Sequence, residues 1–408
     1  METLELPLAP ATDLTTDLTA LLEQVAALLN GPAAPVLPTF GVGHGKGSTI
    51  LFNCHYAAHT GRPEYYDRAL EMLEQVLGQL DPRTYKSNFG SNYYQELAEL
   101  GNLLCYLLRA GHLDWDGAAL LGKIDEVLDQ RMRYFLARKN LERMNGALSA
   151  GTYFVRRVHQ SAQARQSLDT LLEALQALRE GDQHTGYYWT CYVIVEPRVY
   201  TGLSHGSGLI MSFLTALYHT GYRAAECAEL LHYAAKFLVR TRLDPDAHLS
   251  SFPLWRGKND RTNNLCLVYG DLGTTHALVR AADVLDDAAY RAEAIAIGER
   301  TTHRTSLNDT YLHDGSIFYG TSGAYLLYDS LHQLTGVPAF GAAAQHWLAQ
   351  TPTRAQHAQE YLGFSSYFFA DQPSAQLGFN LGVTGIGLTL LHALSQGRHA
   401  LADFIWLA

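Results

Sequence analysis

Eighteen histidines and five cysteines are the residues of this chain best suited to hold a metal or move a proton. His55 and His59 stand four apart in NCHYAAHTG with Cys54 beside them, the spacing of two ligands on one helical face. No other donor follows nearby, so packing or exposure is the default reading of that pair. No H-E-x-x-H pattern occurs. Cys54, Cys105, Cys191, Cys227 and Cys266 form no C-x-x-C pair, and each lies in or beside an apolar run, as buried thiols in a reducing compartment would. GVGHGKGST (Gly41–Thr49) looks like a phosphate loop, but Gly47 separates Lys46 from Ser48 and no strand precedes it. Neither a nucleophile elbow nor a dinucleotide fingerprint stands in a strand–helix setting. Carboxylates near the glycine turns are few: Asp271, Glu142, Glu96 and Glu99. Hydrolysis of sugars by paired carboxylates, or sugar binding, is therefore a lesser expectation. At IFYGTSG, two aromatics, Phe318 and Tyr319, stand at the mouth of a Gly-x-x-Gly turn.

The elements that must position these residues are helical. PEYYDRALEMLEQVLGQL places Tyr66, Ala69, Leu70, Leu73, Val76, Leu77 and Leu80 on one stripe. LDTLLEALQAL does the same, and AAECAELLHYAAKFLV and YRAEAIAIGERT also read as helices. The best strand candidate is YYWTCYVIV, Tyr187–Val195. Glycine turns recur, each followed by an apolar helix: GKGS at Gly45, GALSAG at Gly146, HGSG at His205, GDLG at Gly270, GTSG at Gly320 and GVTG at Gly382. Their intervals are 101, 59, 65, 50 and 62 residues, so the first conceals one more unit near residue 96, where Glu96 and Glu99 replace the glycines. Seven units of one outer and one inner helix result. Glycine at each inner N-terminus permits close backbone approach and positive φ, and the turns face a common centre. A closed, all-α (α/α) toroid is the expected fold.

The bulk properties agree. Hydrophobic residues make up 47% and charged residues 17% of 408 residues, enough for a large core. The net charge of −10 argues against a nucleic-acid partner. The first residues carry no basic segment ahead of an apolar one, and no apolar run spans a membrane, so a cytoplasmic location is expected. No linker interrupts the repeats, so 1–408 reads as a single domain with residues 1–35 as a helical lead-in.

LSHGSGLIMSFL, VYGDLGTTHALV, FYGTSGAYLLYDSLHQLTG and LGVTGIGLTLLHAL together resemble the lanthionine synthetase C-like family, the lantibiotic cyclases. NGALSAGTYFVRR resembles another of its turns, and the likeness runs from about Phe40 to Leu394. The resemblance implies a toroid of seven inner and seven outer helices. It also implies addition of a peptide cysteine thiol to a dehydrated residue, with zinc favouring the thiolate. The family's zinc ligands are a cysteine in a W-C-Y-G turn and a cysteine and histidine in a C-H-G turn. These positions carry Val268, Phe318 and Tyr319 here, so all three ligands are replaced and zinc is not expected. A rebuilt site from Cys266 with His313 needs the loops to move. His205, the family's histidine before its HG turn, is kept as a candidate acid or base, and Tyr269 is also kept. Glu142 stands for the family's aspartate. The family's arginine is replaced by Asn264, and Arg261 lies close by.

Three readings follow. The chain binds a dehydrated, cysteine-containing precursor peptide without zinc, as a pseudo-cyclase or a scaffold for a dehydratase or second cyclase of lanthipeptide maturation. Alternatively, it is a metal-independent cyclase using His205, Glu142 and Tyr269. Third, it is a carbohydrate-active or carbohydrate-binding toroid.

Overall fold

The computed structural model describes residues 11–87, 90–194, 196–258, 264–357, 361–367, 376–397 and 401–405. Among them, fifteen α-helices follow one another: α1 Ala11–Asn30, α2 Lys46–Thr60, α3 Pro63–Gly78, α4 Tyr93–Arg109, α5 Ala118–Leu136, α6 Ala147–Arg157, α7 Ala162–Leu178, α8 Ser207–His219, α9 Ala224–Arg240, α10 Asp271–Leu285, α11 Ala288–Thr302, α12 Leu307–Thr310, α13 Thr321–Thr335, α14 Pro338–Gln350 and α15 Val383–Leu394. A small antiparallel hairpin, β1 Glu180–Asp182 and β2 Gly186–Tyr188, lies between α7 and α8. The expected strand Tyr187–Val195 is thus mostly not strand. Only its start pairs, because the chain then leaves the hairpin and meets itself in a single bridge between Cys191 and Arg198. Val195 lies outside the described residues.

Two kinds of helix alternate. α2, α8, α10, α13 and α15 are buried along nearly their whole length, as helices with apolar surface on all sides must be. α3 buries only Ala69, Leu73 and Val76, one stripe facing inward. The inner helices α2, α4, α6, α8, α10, α13 and α15 each touch the next, and α15 returns to α2, so the ring is closed. The outer helices α3, α5, α7, α9, α11 and α14 each pack on the inner helix before them, and α1 packs on α15. The expected lead-in is therefore the seventh outer helix. The unit expected near residue 96 is α4, which begins at Tyr93, capped by the Asn92 side chain accepting from the amides of Tyr94 and Gln95. Glu96 and Glu99 lie inside this helix, not in a turn.

The turns before five of the seven inner helices, α2, α6, α8, α13 and α15, share one hydrogen-bond pattern. A carbonyl accepts from the amide seven residues on: Thr39 from Lys46 (2.9 Å), Asn140 from Ala147 (3.0 Å), Tyr200 from Ser207 (3.1 Å), Asp314 from Thr321 (3.0 Å) and Gln376 from Val383 (3.1 Å). The capping glycines are extended, not left-handed: Gly146 has φ −154° and Gly320 has φ −119°. The expectation of positive φ is corrected. Close approach is the reason for glycine. A Cβ on Gly320 would lie 2.2 Å from Asp314 Oδ1, and one on Gly146 2.3 Å from Asn140 Oδ1.

Candidate functional site

The turns before α6, α8, α10 and α13 bring one polar cluster together at the N-terminal end of the ring. The turn before α6 presents Glu142, whose amide donates to Asn140 Oδ1 at 3.0 Å. The turn before α8 presents His205, and its Ser204 amide donates to the Val268 carbonyl at 3.0 Å, which sets the height of the next turn. That next turn carries Tyr269. The turn before α13 carries Tyr319, and its Phe318 amide donates to the Asn380 carbonyl at 3.0 Å.

Glu142 Oε2 lies 2.6 Å from His205 Nδ1. A carboxylate can only accept, so Nδ1 carries the proton and Nε2 is left as an acceptor. Nε2 has the Tyr269 hydroxyl at 3.0 Å and the Ser204 hydroxyl at 3.0 Å. Tyr319 in turn hydrogen-bonds Tyr269, their rings 6.1 Å apart. The result is a proton chain from Tyr319 through Tyr269 and His205 to Glu142. Burial pushes both phenols above the usual tyrosine range, Tyr319 well above it, so both stay protonated at neutral pH and can donate. Glu142 and His205 are both nearly enclosed, at 7% and 14% side-chain exposure, so the pair is shielded from competing water.

Cys191 completes the cluster. Its thiol donates to Glu142 Oε1 at 3.1 Å. Burial, then the neighbouring carboxylate, pushes this thiol up to about 12. Reading the sequence, we place Cys191 among the buried core thiols and miss its partner, which lies 49 residues away in the chain. The available signal is alternation: Trp189 and Cys191 are buried while Tyr192 is exposed.

The other candidates fall elsewhere. Val268 and Phe318 are buried and apolar, 1% and 6% exposed. Asn264 turns inward on its own loop, its Oδ1 accepting from the Cys266 amide at 2.9 Å, the same brace that Asn140 and Asp314 provide in their turns. Arg261 lies outside the described residues. Cys266 is buried, its thiol pushed up to about 11 by burial, while His313 is exposed against Tyr311 and Tyr367. His55 is a core residue 3.2 Å from the Tyr106 hydroxyl, whereas His59 is part-exposed. GVGHGKGST is the turn into α2. Asp271 is held by Arg304 at 3.0 Å and by the amides of Ser251 and Phe252. Glu96 Oε2 accepts from the amides of Phe40 and Gly41, and Glu99 Oε2 from that of Gly43, each at 2.8 Å. Three of the four carboxylates near the turns, Asp271, Glu96 and Glu99, are thus engaged in holding backbone, and only Glu142 stands in the polar cluster.

These features define an α/α toroid whose inner-helix turns build a buried acid–base cluster at one end. The family description "lanthionine synthetase C-like protein" matches residues 39–405, and the chain belongs to that family. Its fold is similar to that of nisin cyclase, with a TM-score of 0.73 at 14% identity over 96% of this chain and 98% of that one. A cellobiose 2-epimerase from Bacillus thermoamylovorans (TM-score 0.45, 10% identity, 94% of this chain and 100% of that one) is more distant. A glycosyl hydrolase family 88 protein from Bacteroides vulgatus (0.41, 12%, 95% and 99%) is also more distant. Among curated proteins, none matches the chain.

Val268, Phe318 and Tyr319 stand where the resemblance leads one to expect the family's zinc ligands. Val268 and Phe318 offer no donor atom, and the Tyr319 phenol is held neutral by burial and by its bond to Tyr269. Among the described residues, one group of three could offer metal donors elsewhere: Glu142, Cys191 and His205, with donor atoms within 4.8 Å of one another. In the arrangement seen, both oxygens of Glu142 already accept hydrogen bonds from the other two.

Proposed function

We propose that this protein acts on dehydrated, cysteine-containing peptides of the lanthipeptide type and promotes thioether formation without a metal at the family's zinc positions. The continuous proton chain Tyr319–Tyr269–His205–Glu142 carries this reading. Addition of a thiol to a dehydrated residue forms an S–C bond, breaks the S–H bond and needs a proton at the α-carbon. His205 Nε2, unprotonated in the tautomer that Glu142 holds, takes the thiol proton, the Tyr269 phenol gives its own proton to the α-carbon, and the His205 imidazolium returns a proton to Tyr269. Binding of the peptide beside the cluster orients its two reacting ends. The reading includes a cytoplasmic setting and a precursor peptide delivered by a dehydratase.

A second reading is a binding scaffold, with the same peptide bound but not cyclised, beside a dehydratase or a second cyclase. The loss of every family metal ligand favours it. One experiment separates the two. Purified protein is incubated with a dehydrated cysteine-containing peptide, and free thiol is followed by alkylation and mass spectrometry. The expected outcome is ring closure faster than in buffer, returning to the buffer rate in His205→Ala and Tyr269→Phe. Binding without acceleration leaves the scaffold, and neither binding nor acceleration overturns both. Elemental analysis should find far less than one zinc per chain. Close to one zinc, lost in Cys191→Ala, would place an ion on Glu142, Cys191 and His205 and overturn the metal-free reading.

A further inference from the structure

A cavity of about 640 Å³ lies within the ring, walled mostly by α4, α6 and α8, with Arg143 reaching it from the turn before α6. It begins beside Leu209, which also walls the small pocket next to His205 and Cys191, and extends to the C-terminal ends of α4 and α8 at Arg109 and His219. Its volume is that of a small-molecule site, within roughly 300–1,000 Å³.

The charge on its wall is unusual for this chain. The molecule carries a net −10, yet among the described residues four arginines, Arg109, Arg143, Arg156 and Arg280, line the cavity against one carboxylate, Asp403. Asp403 is engaged with Arg109 and lies 3.0 Å from Arg156. Cations at helix C-termini complement the helix dipole, which accounts for Arg109 at the end of α4 and Arg156 in the last turn of α6. It does not account for Arg143, in the turn before α6, or Arg280, five residues before the end of α10. Glu99 stands near Arg143 and Asp283 near Arg280, but neither lines this cavity. Asp283 is shared with Arg291 at 2.8 Å, and burial holds the Glu99 carboxyl up to about 7. Burial, then Arg156, pulls the Arg143 guanidinium down to about 9. Four guanidinium groups around one partly open cavity repel one another, and an anion between them relieves that repulsion.

We propose that the cavity binds a compact polyanion of the phosphate-ester class, its charged end held by Arg143, Arg156 and Arg280 and its apolar body against Phe213 and Val155. Guanidinium forks match phosphate oxygens two at a time. A phosphate or pyrophosphate group concentrates two to three charges in the volume available, where an acidic peptide would spread them over several residues. Ser212, Thr152 and Asn102 add hydroxyl and amide groups on the same wall. The site is independent of the acid–base cluster and of the reading placed on it.

Calorimetric titration of the full chain with inorganic pyrophosphate, and separately with ADP, tests this. Binding is expected, weakening as salt is raised, and at least about tenfold weaker in Arg280→Gln, about 1.4 kcal/mol. Arg83→Gln, on the outside and far from the cavity wall, should bind as the parent does. Ser212→Glu, which adds a carboxylate to the wall, should abolish binding, and circular dichroism checks that each variant is folded. No heat with either probe at millimolar concentration, unchanged binding in both cavity variants, or tighter binding of triglutamate than of pyrophosphate would each overturn the proposal.

Discussion

Cys191 illustrates how a single contact fixes a residue's reactivity. Its thiol is buried and donates a hydrogen bond to Glu142, and both effects disfavour the thiolate. It should therefore alkylate slowly at pH 8. Glu142→Gln removes the charge but keeps the shape, leaving burial as the main penalty. The thiol pKa should fall and iodoacetamide labelling of Cys191 should speed up, by roughly tenfold for each pKa unit recovered. Mass spectrometry of the labelled peptide reads this directly. A rate unchanged in Glu142→Gln would mean that the carboxylate does not govern the thiol. The same variant frees His205 Nδ1 from its fixed partner, so in the peptide assay it should lower the rate constant more than it weakens peptide binding.

Helices and their order were legible in the sequence because periodicity is a local property: α3, α7, α9 and α11 lie where the apolar stripes put them. The burial of Val268 and Phe318 was legible because both are apolar residues placed just ahead of an inner helix. What could not be read was the use made of residues across turns. Glu96 and Glu99 replace glycines in the pattern, and the sequence offers a cavity position or a displaced, solvated turn for them. In the structure they are anchors in α4 for the backbone of the turn before α2, more than fifty residues away. Cys191 and Tyr319 join the site by contacts of the same long range. At this scale the anchor makes a prediction about acid and base. Burial holds the Glu99 carboxyl up to about 7, above its unfolded value. An acid shifted upward stabilises the fold fully below its unfolded pKa, and that contribution is lost as pH rises through the folded pKa. Stability should thus fall between about pH 4.5 and 7, by up to about 3 kcal/mol before solvent screening. Glu99→Gln should flatten that part of the profile in urea unfolding across a pH series. Glu96→Ala should instead cost stability at every pH, on the order of 3 kcal/mol, because the Phe40 and Gly41 amides lose their acceptor. An equal slope in the parent and Glu99→Gln would show that another group sets the pH dependence.

At the scale of the molecule, the ring closes through one helix that the repeat pattern treats as an extra. α1 buries Leu18, Leu22, Val25, Ala26 and Leu29 and packs on α15, an inner helix buried from Val383 to Leu391. α15 touches both α13 and α2, and its turn links their turns: the Asn380 amide donates to Gly43, and the Asn380 carbonyl accepts from Phe318. Removing α1 leaves the outer face of α15 in water and loosens the join on which the position of Tyr319 depends. A chain beginning at residue 31 should therefore lose cooperative unfolding, and its near-ultraviolet circular dichroism should collapse. Leu22→Ala in the full chain is the milder test. It leaves a cavity between α1 and the core and should cost about 2–5 kcal/mol in urea unfolding. Its unfolding should stay a single transition, because the seven units form one closed ring and not a stack with free ends. A separate early transition assigned to α1, with the rest of the molecule melting as before, would show that closure does not depend on this helix and that the proton chain is held by the other six units alone.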